Sequence, residues 1–176
     1  MSSISNLNNS TQKRTWHEDG GVIFVPLPPT DGTTGREWIE RSKRDGTVSP
    51  LAISTLWSKF FHPTTGGMSN IVIIRGAFFV DDNRKTSIIR AEGKRRGYLE
   101  PGPEDGCLLR EVLTDADVLE MGLLRIVTMH EPLADGDGVL RLLTACGDEK
   151  MRQLCAHRGD PTYWWEEFFG FAFRAP

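Results

Sequence analysis

The chain has 176 residues, of which 39% are hydrophobic and 26% charged. This balance fits one ordinary globular domain with enough apolar surface to fold without metal or disulfide support. It excludes a collagen, a coiled coil, a fully disordered chain and, since no apolar run approaches ~20 residues, a bilayer-spanning helix.

The net charge is −3, which is not the balance of a globally basic nucleic-acid binder. That total hides two opposed segments. Residues 84–96 hold Arg84, Lys85, Arg90, Lys94, Arg95 and Arg96 against Glu92 alone. Residues 100–120 hold seven acidic residues against Arg110 alone. Three cysteines, Cys107, Cys146 and Cys155, cannot all pair within the chain, and no C-x2-C unit marks a zinc site. This usage fits a reducing, cytoplasmic setting.

In chain order, Met1–Thr15 is rich in Ser, Asn and Thr, has no apolar h-region and reads as a disordered tail. Residues 16–176 read as a single domain. Gly21–Leu27 is an expected strand, placed at a sheet edge because Pro26 cannot donate to a ladder. Thr34 with Glu37 makes a capping box, and Gly46 stands where that helix ends. Ser49-Pro50 starts a second helix. There Ile53, Leu56, Trp57 and Phe60 follow at amphipathic spacing, giving a helical hairpin over roughly 34–61.

After a loop at His62–Met68, Asn70–Val80 reads as one central strand with Gly76 as a bulge. Asp81 or Asp82 caps a basic helix of roughly 82–96, stopped by Gly97. Tyr98–Gly106 reads as a loop, and Cys107–Leu113 as an apolar element of open type. Thr114 with Asp117 caps a short helix ending at Gly122. Leu123–Met129 is a second strong strand. Asp135-Gly136-Asp137-Gly138 is a hairpin turn into Val139–Ala145. Residues 147–158 fit a helix or a turn followed by a strand. Phe169, Phe171 and Phe173 alternate in a final strand, Phe169–Arg174. The expected fold is α+β: a mostly antiparallel sheet with the helical hairpin and the basic helix packed on one face.

Three segments resemble a group of uncharacterised bacterial proteins: DGTTGREWIERSKRDG, FFVDDNRKTSIIRAEGKRRG and CLLREVLTDADVLEMGLLRIVTMHEPLADGDG, with GFAFRAP at the end. The resemblance implies a bacterial or phage origin and a hairpin rather than a helix over 140–157. It implies no activity, so no catalytic residue follows from it.

Chemistry is best placed at the end of the LLRIVTM strand. His130 and Glu131 are the candidate catalytic pair, because a histidine beside a carboxylate suits acid–base work. Asp135 and Asp137 extend the set to a weak divalent-cation site, the one cofactor these residues point to. The turn lacks H-E-x-x-H and the full spacing of a calcium loop. A plain polar strand end explains the same residues. Cys155 and His157 share a face on a strand but not on a helix. The basic residues Arg84, Lys85, Arg90, Lys94, Arg95 and Arg96, with Tyr98 to stack, form the candidate nucleic-acid surface; the adjoining acidic run opposes it. Aromatic clusters at Trp57-Phe60-Phe61 and Tyr163–Phe173 read first as core, and where exposed as a surface for a protein partner or a homodimer. No constellation is a complete catalytic set. The expected function is therefore an intracellular binding or accessory protein, with a hydrolase centred on His130 as the alternative.

Overall fold

The computed structural model describes residues 14–147 and 152–176. The expected tail lies outside the described residues except for Arg14 and Thr15. Two interleaved apolar sets along the strands organise everything else. Alternate residues of a strand point to opposite faces, and here both faces are apolar: Ile71 and Ile73 go one way, Val72 and Ile74 the other. A sheet so patterned must be covered on both sides.

The strands are β1 (His17–Asp19), β2 (Val22–Leu27), β3 (Thr47–Val48), β4 (Ser69–Arg75), β5 (Arg125–Thr128), β6 (Leu133–Ala134), β7 (Leu140–Cys146), β8 (Gln153–Arg158) and β9 (Phe169–Arg174). They form one sheet in the order β1-β2-β4-β9-β5-β7-β8-β3, with β6 on β7. Only β5–β9 and β3–β8 are parallel, so the fold is a single-domain, mostly antiparallel α+β architecture. The helices are α1 (Gly35–Asp45), α2 (Pro50–Leu56), α3 (Thr86–Arg95), α4 (Pro103–Val112) and α5 (Asp115–Glu120). Among the described residues no helix is long and apolar enough to cross a membrane.

The local start signals hold. Thr34 and Glu37 exchange hydrogen bonds as a capping box, Ser49 caps α2 ahead of Pro50, and Thr114 with Asp117 caps α5. The helices, however, divide between the faces instead of sharing one. Trp38 and Ile39 of α1, Ala52 and Leu56 of α2, Leu108 and Leu109 of α4 and Val118 of α5 pack on one face. The basic helix α3 places Ile89 on the other, beside Trp165, Phe169, Phe171 and Phe173.

Several boundaries also move. β2 is not the outermost strand, because β1 flanks Val22–Phe24; Pro26 lies past the end of β1, so its missing N–H interrupts no ladder. α2 stops at Leu56, not near 61, and the hairpin is interrupted by β3, whose two residues pair with β8. β4 ends at Arg75, and Gly76 opens a 3-10 turn where a Cβ would lie 2.7 Å from the Glu167 carbonyl oxygen. Asp81 and Asp82 sit in a second short 3-10 turn, and α3 starts only at Thr86. The expected loop Tyr98–Gly106 gives way to α4 from Pro103, a proline in the first helical turn, and α4 takes in most of Cys107–Leu113. Residues 148–151 lie outside the described residues, and Gln153–Arg158 is a strand.

Candidate functional site

His130 is fully buried, and both ring nitrogens are committed to the backbone. Nδ1 lies 2.7 Å from the Glu131 carbonyl oxygen, so it donates; Nε2 accepts from the Leu143 N–H at 3.0 Å. A carbonyl cannot donate and an amide N–H cannot accept, so this pair of bonds enforces the neutral Nδ1–H tautomer. Burial, aided by the Arg90 guanidinium, pushes the imidazole down to about 4. The lone pair that a general base needs is occupied. His130 instead pins the β5–β6 connection to β7.

Its expected companions do not converge on it. Glu131 is exposed. Asp135 is buried in its own turn: Oδ1 accepts from the N–H groups of Asp137 and Val139, and Oδ2 from Arg141 Nε at 2.7 Å. Burial alone would raise the Asp135 carboxyl, but these donors outweigh it and hold it below the ordinary range. Asp137 is exposed. Among the described residues no three His, Cys, Asp or Glu side chains gather closely enough to hold a metal ion.

A pH dependence follows from the histidines. Burial, aided by the Arg125 and Arg141 guanidinium groups, pushes His157 down to about 4 as well. An unfolded chain binds these protons near pH 6.5 and the native protein only near 4, so acid favours unfolding. Their contribution is complete above about pH 6.5 and disappears as pH falls toward 4. Denaturant titrations from pH 7 to 4 are expected to lose about 3 kcal/mol from His130 alone. His130→Gln is expected to flatten that slope while lowering stability at pH 7; an unchanged slope refutes the assignment.

The basic segment is largely consumed internally. Arg84 is buried, donating to the carbonyls of Phe79 and Trp165 and to Asp81. Arg90 reaches Glu100 at 3.1 Å and the His130 carbonyl. Arg95 and Arg96 share Glu92, and together they hold its carboxyl down at about 2. Lys85 and Lys94 are exposed, and the Tyr98 ring tilts against Phe173 instead of standing free to stack. The acidic run disperses in the same way. Glu104 and Asp105 are buried, Glu111 pairs with Arg41, and Asp115 with Arg110. Of the ion pairs described, only Arg90–Glu100 joins the two runs.

The aromatic clusters part company. Trp165, Phe169, Phe171 and Phe173 are core, as is Phe61, but Trp57 is 68% and Phe60 50% exposed. Trp57 caps the C-terminus of α2 and Phe60 lies beyond it, and neither joins Ala52, Thr55 and Leu56 on the buried side of the helix. A cleft of about 560 Å³ lies between them and the β6–β7 turn, lined by Pro50, Ile53, Ser58, Ala134 and Gly136. Its base is tied by the Ser58 hydroxyl donating to the Ala134 carbonyl at 2.6 Å and the Gly136 N–H donating to Ser54 Oγ at 3.0 Å. Beyond Phe60 a second cleft of about 590 Å³ continues along Pro101, Pro103, Pro132, Leu133 and Leu140, with His62, Glu100 and Glu131 among its lining residues. Phe60 and Ala134 line both, so the two clefts adjoin and present a largely apolar groove, with Lys59 and Asp135 also lining the first. The three prolines were invisible as a group in the sequence, because Pro132 is remote in the chain from Pro101 and Pro103. The chain matches no family model, no curated protein and no solved structure.

Proposed function

We propose that the protein is an intracellular binding module that holds an extended peptide segment of a partner protein in the Trp57–Phe60 groove. The observation that carries this reading is the exposure of two large aromatic side chains beside a concave wall of prolines and aliphatic residues. Concave apolar surface with a few polar groups at its margin is the usual form of a recognition site. Tryptophan and other aromatics dominate the binding energy of such surfaces. Glu131 is exposed at the second cleft and has no ion pair among the described residues, whereas Glu100 is held by Arg90. The segment is therefore apolar with at least one basic residue placed to meet Glu131. Three free thiols accord with a reducing location.

An array of peptides varying in apolar and charged positions tests the reading. Apolar–basic peptides are expected to bind. The double variant Trp57→Ala, Phe60→Ala is expected to weaken them about 30-fold or more, the effect of losing one hot-spot pair, with thermal stability unchanged. Glu131→Lys is expected to abolish the preference for basic residues. Absence of any peptide binding, or binding indifferent to Trp57 and Phe60, overturns the proposal. So does a concentration-dependent mass in light scattering that the aromatic variant removes, because the groove is then a self-association surface.

A further inference from the structure

A second feature lies on the opposite side of the sheet, away from the groove. The register of β7 and β8 sets Thr144 opposite Cys155 and Cys146 opposite Gln153. Residues two apart on a strand share a face, so Cys146 and Cys155 are diagonal neighbours on one face. Both thiols are free. They differ in access: Cys146 is buried and Cys155 is partly exposed. Arg125 of β5 stands directly opposite Cys146, completing a three-strand patch of thiol, thiol and guanidinium.

We propose that Cys155 and Cys146 form a reversible dithiol site that reacts with low-molecular-weight disulfides, Cys155 as the attacking thiol and Cys146 as the resolving one. The roles follow from access and charge. A reactive cysteine needs exposure and a positive neighbour that stabilises its thiolate. Cys155 has both, and the adjacent Cys146 thiol, with Arg125 and Arg110, lowers its pKa. The Cys146 thiol is pushed up by its Cys155 neighbour and by burial, so it stays protonated until it is needed. His157 is not the base. Its ring is held between Arg125 and the Thr144 hydroxyl, at 2.6 and 3.1 Å. Gln153 lies 3.2 Å from Cys155 Sγ and accepts from the thiol; turned over, its amide donates to the thiolate.

The thiolate of Cys155 attacks one sulfur of R–S–S–R, giving Cys155–S–S–R and releasing R–S⁻. Cys146 then passes its proton to a released thiolate and attacks the Cys155 sulfur, expelling the second R–S⁻. Two protein thiols lose two electrons and two protons, and one R–S–S–R becomes two R–SH. Diagonal partners lie about 7–8 Å apart along the backbone, past the roughly 7 Å beyond which a disulfide closes only with backbone movement. Cys146 ends β7 and Cys155 is near the start of β8, so the required approach falls at the strand ends. A bond closed this way is readily reduced again, which suits a regulatory site.

The full chain incubated with oxidised glutathione tests this. The expected product is lighter by two hydrogens, retains one free thiol, and yields a Cys146–Cys155 cross-linked peptide that dithiothreitol releases. Cys146→Ser is expected to stop at a stable glutathionyl adduct on Cys155, and Cys155→Ser to remain unmodified. Three thiols still free in the wild-type protein, a lasting wild-type adduct with no cross-link, or an adduct on Cys107 overturns the proposal. The wild-type result stands even if a variant folds poorly.

Discussion

Arg174→Ala is expected to destabilise the protein by about 3 kcal/mol and to lower its melting temperature by roughly 6–12 °C. The partner left behind is the reason. Asp105 is fully buried in the first turn of α4, and Arg174 at the end of β9 grips it through Nε at 2.7 Å and Nη2 at 2.9 Å. The Gly102 N–H supplies the third bond at 2.8 Å. Without the guanidinium, a buried carboxylate keeps a single donor. Removing one member of a buried ion pair costs about 3–5 kcal/mol, chiefly through the charge left stranded. The lower end applies because the Arg174 side chain is 35% exposed. Adding Asp105→Asn to Arg174→Ala removes the stranded charge and is expected to recover part of the loss. Strictly additive single and double variants in denaturant melts would show that the pair does not couple.

Gly35→Ala is expected to cost at least about 3 kcal/mol, above the usual range for overpacking, because the obstacle is backbone. A Cβ there would lie 1.9 Å from the Leu56 carbonyl oxygen and 3.3 Å from the Phe61 ring. No rotamer change relieves the first contact, so the start of α1 must move away from the end of α2. That junction also carries Trp57, so peptide binding in the groove is expected to fall together with stability. Gly67→Ala is the control: nothing lies within 4 Å of its Cβ, and the change is expected to stay within about 0.5 kcal/mol. A melting temperature for Gly35→Ala equal to that of Gly67→Ala would refute the close approach.

Much of the architecture was legible because its signals are local. A capping box needs only Thr34 and Glu37, and helix α1 starts there. The alternation of Phe169, Phe171 and Phe173 fixes a face within six residues, and β9 follows it. The turn at Asp135–Gly138 likewise leads into β7, with Gly138 at a positive φ of 78° that suits glycine. Where the reading failed, a distant partner intervened. Pro103–Gly106 reads as part of a loop but opens α4; Glu104 and Asp105 there are buried because Thr64 and Arg174, far along the chain, satisfy them. Trp57 and Phe60 read as the inner face of a helix that in fact stops before them.

The candidate site shows the same division. His130 stood out for its chemistry, but its role depends on the Leu143 N–H, thirteen residues away across the β5–β7 pairing. The groove depends on loops holding Phe60, Pro101 and Pro132 side by side, and the dithiol on a register that makes Cys146 and Cys155 diagonal neighbours. Caps, turns and alternation act within a few residues, so composition and order were enough for the element types, the mostly antiparallel α+β class and most strand positions. Burial, ion pairing and the side of the sheet each helix covers depend on contacts between remote segments. The −3 net charge illustrates this: the opposed basic and acidic runs are plain in the chain, yet of the ion pairs described only Arg90–Glu100 joins them, because α3 and α4 lie on opposite faces of the sheet.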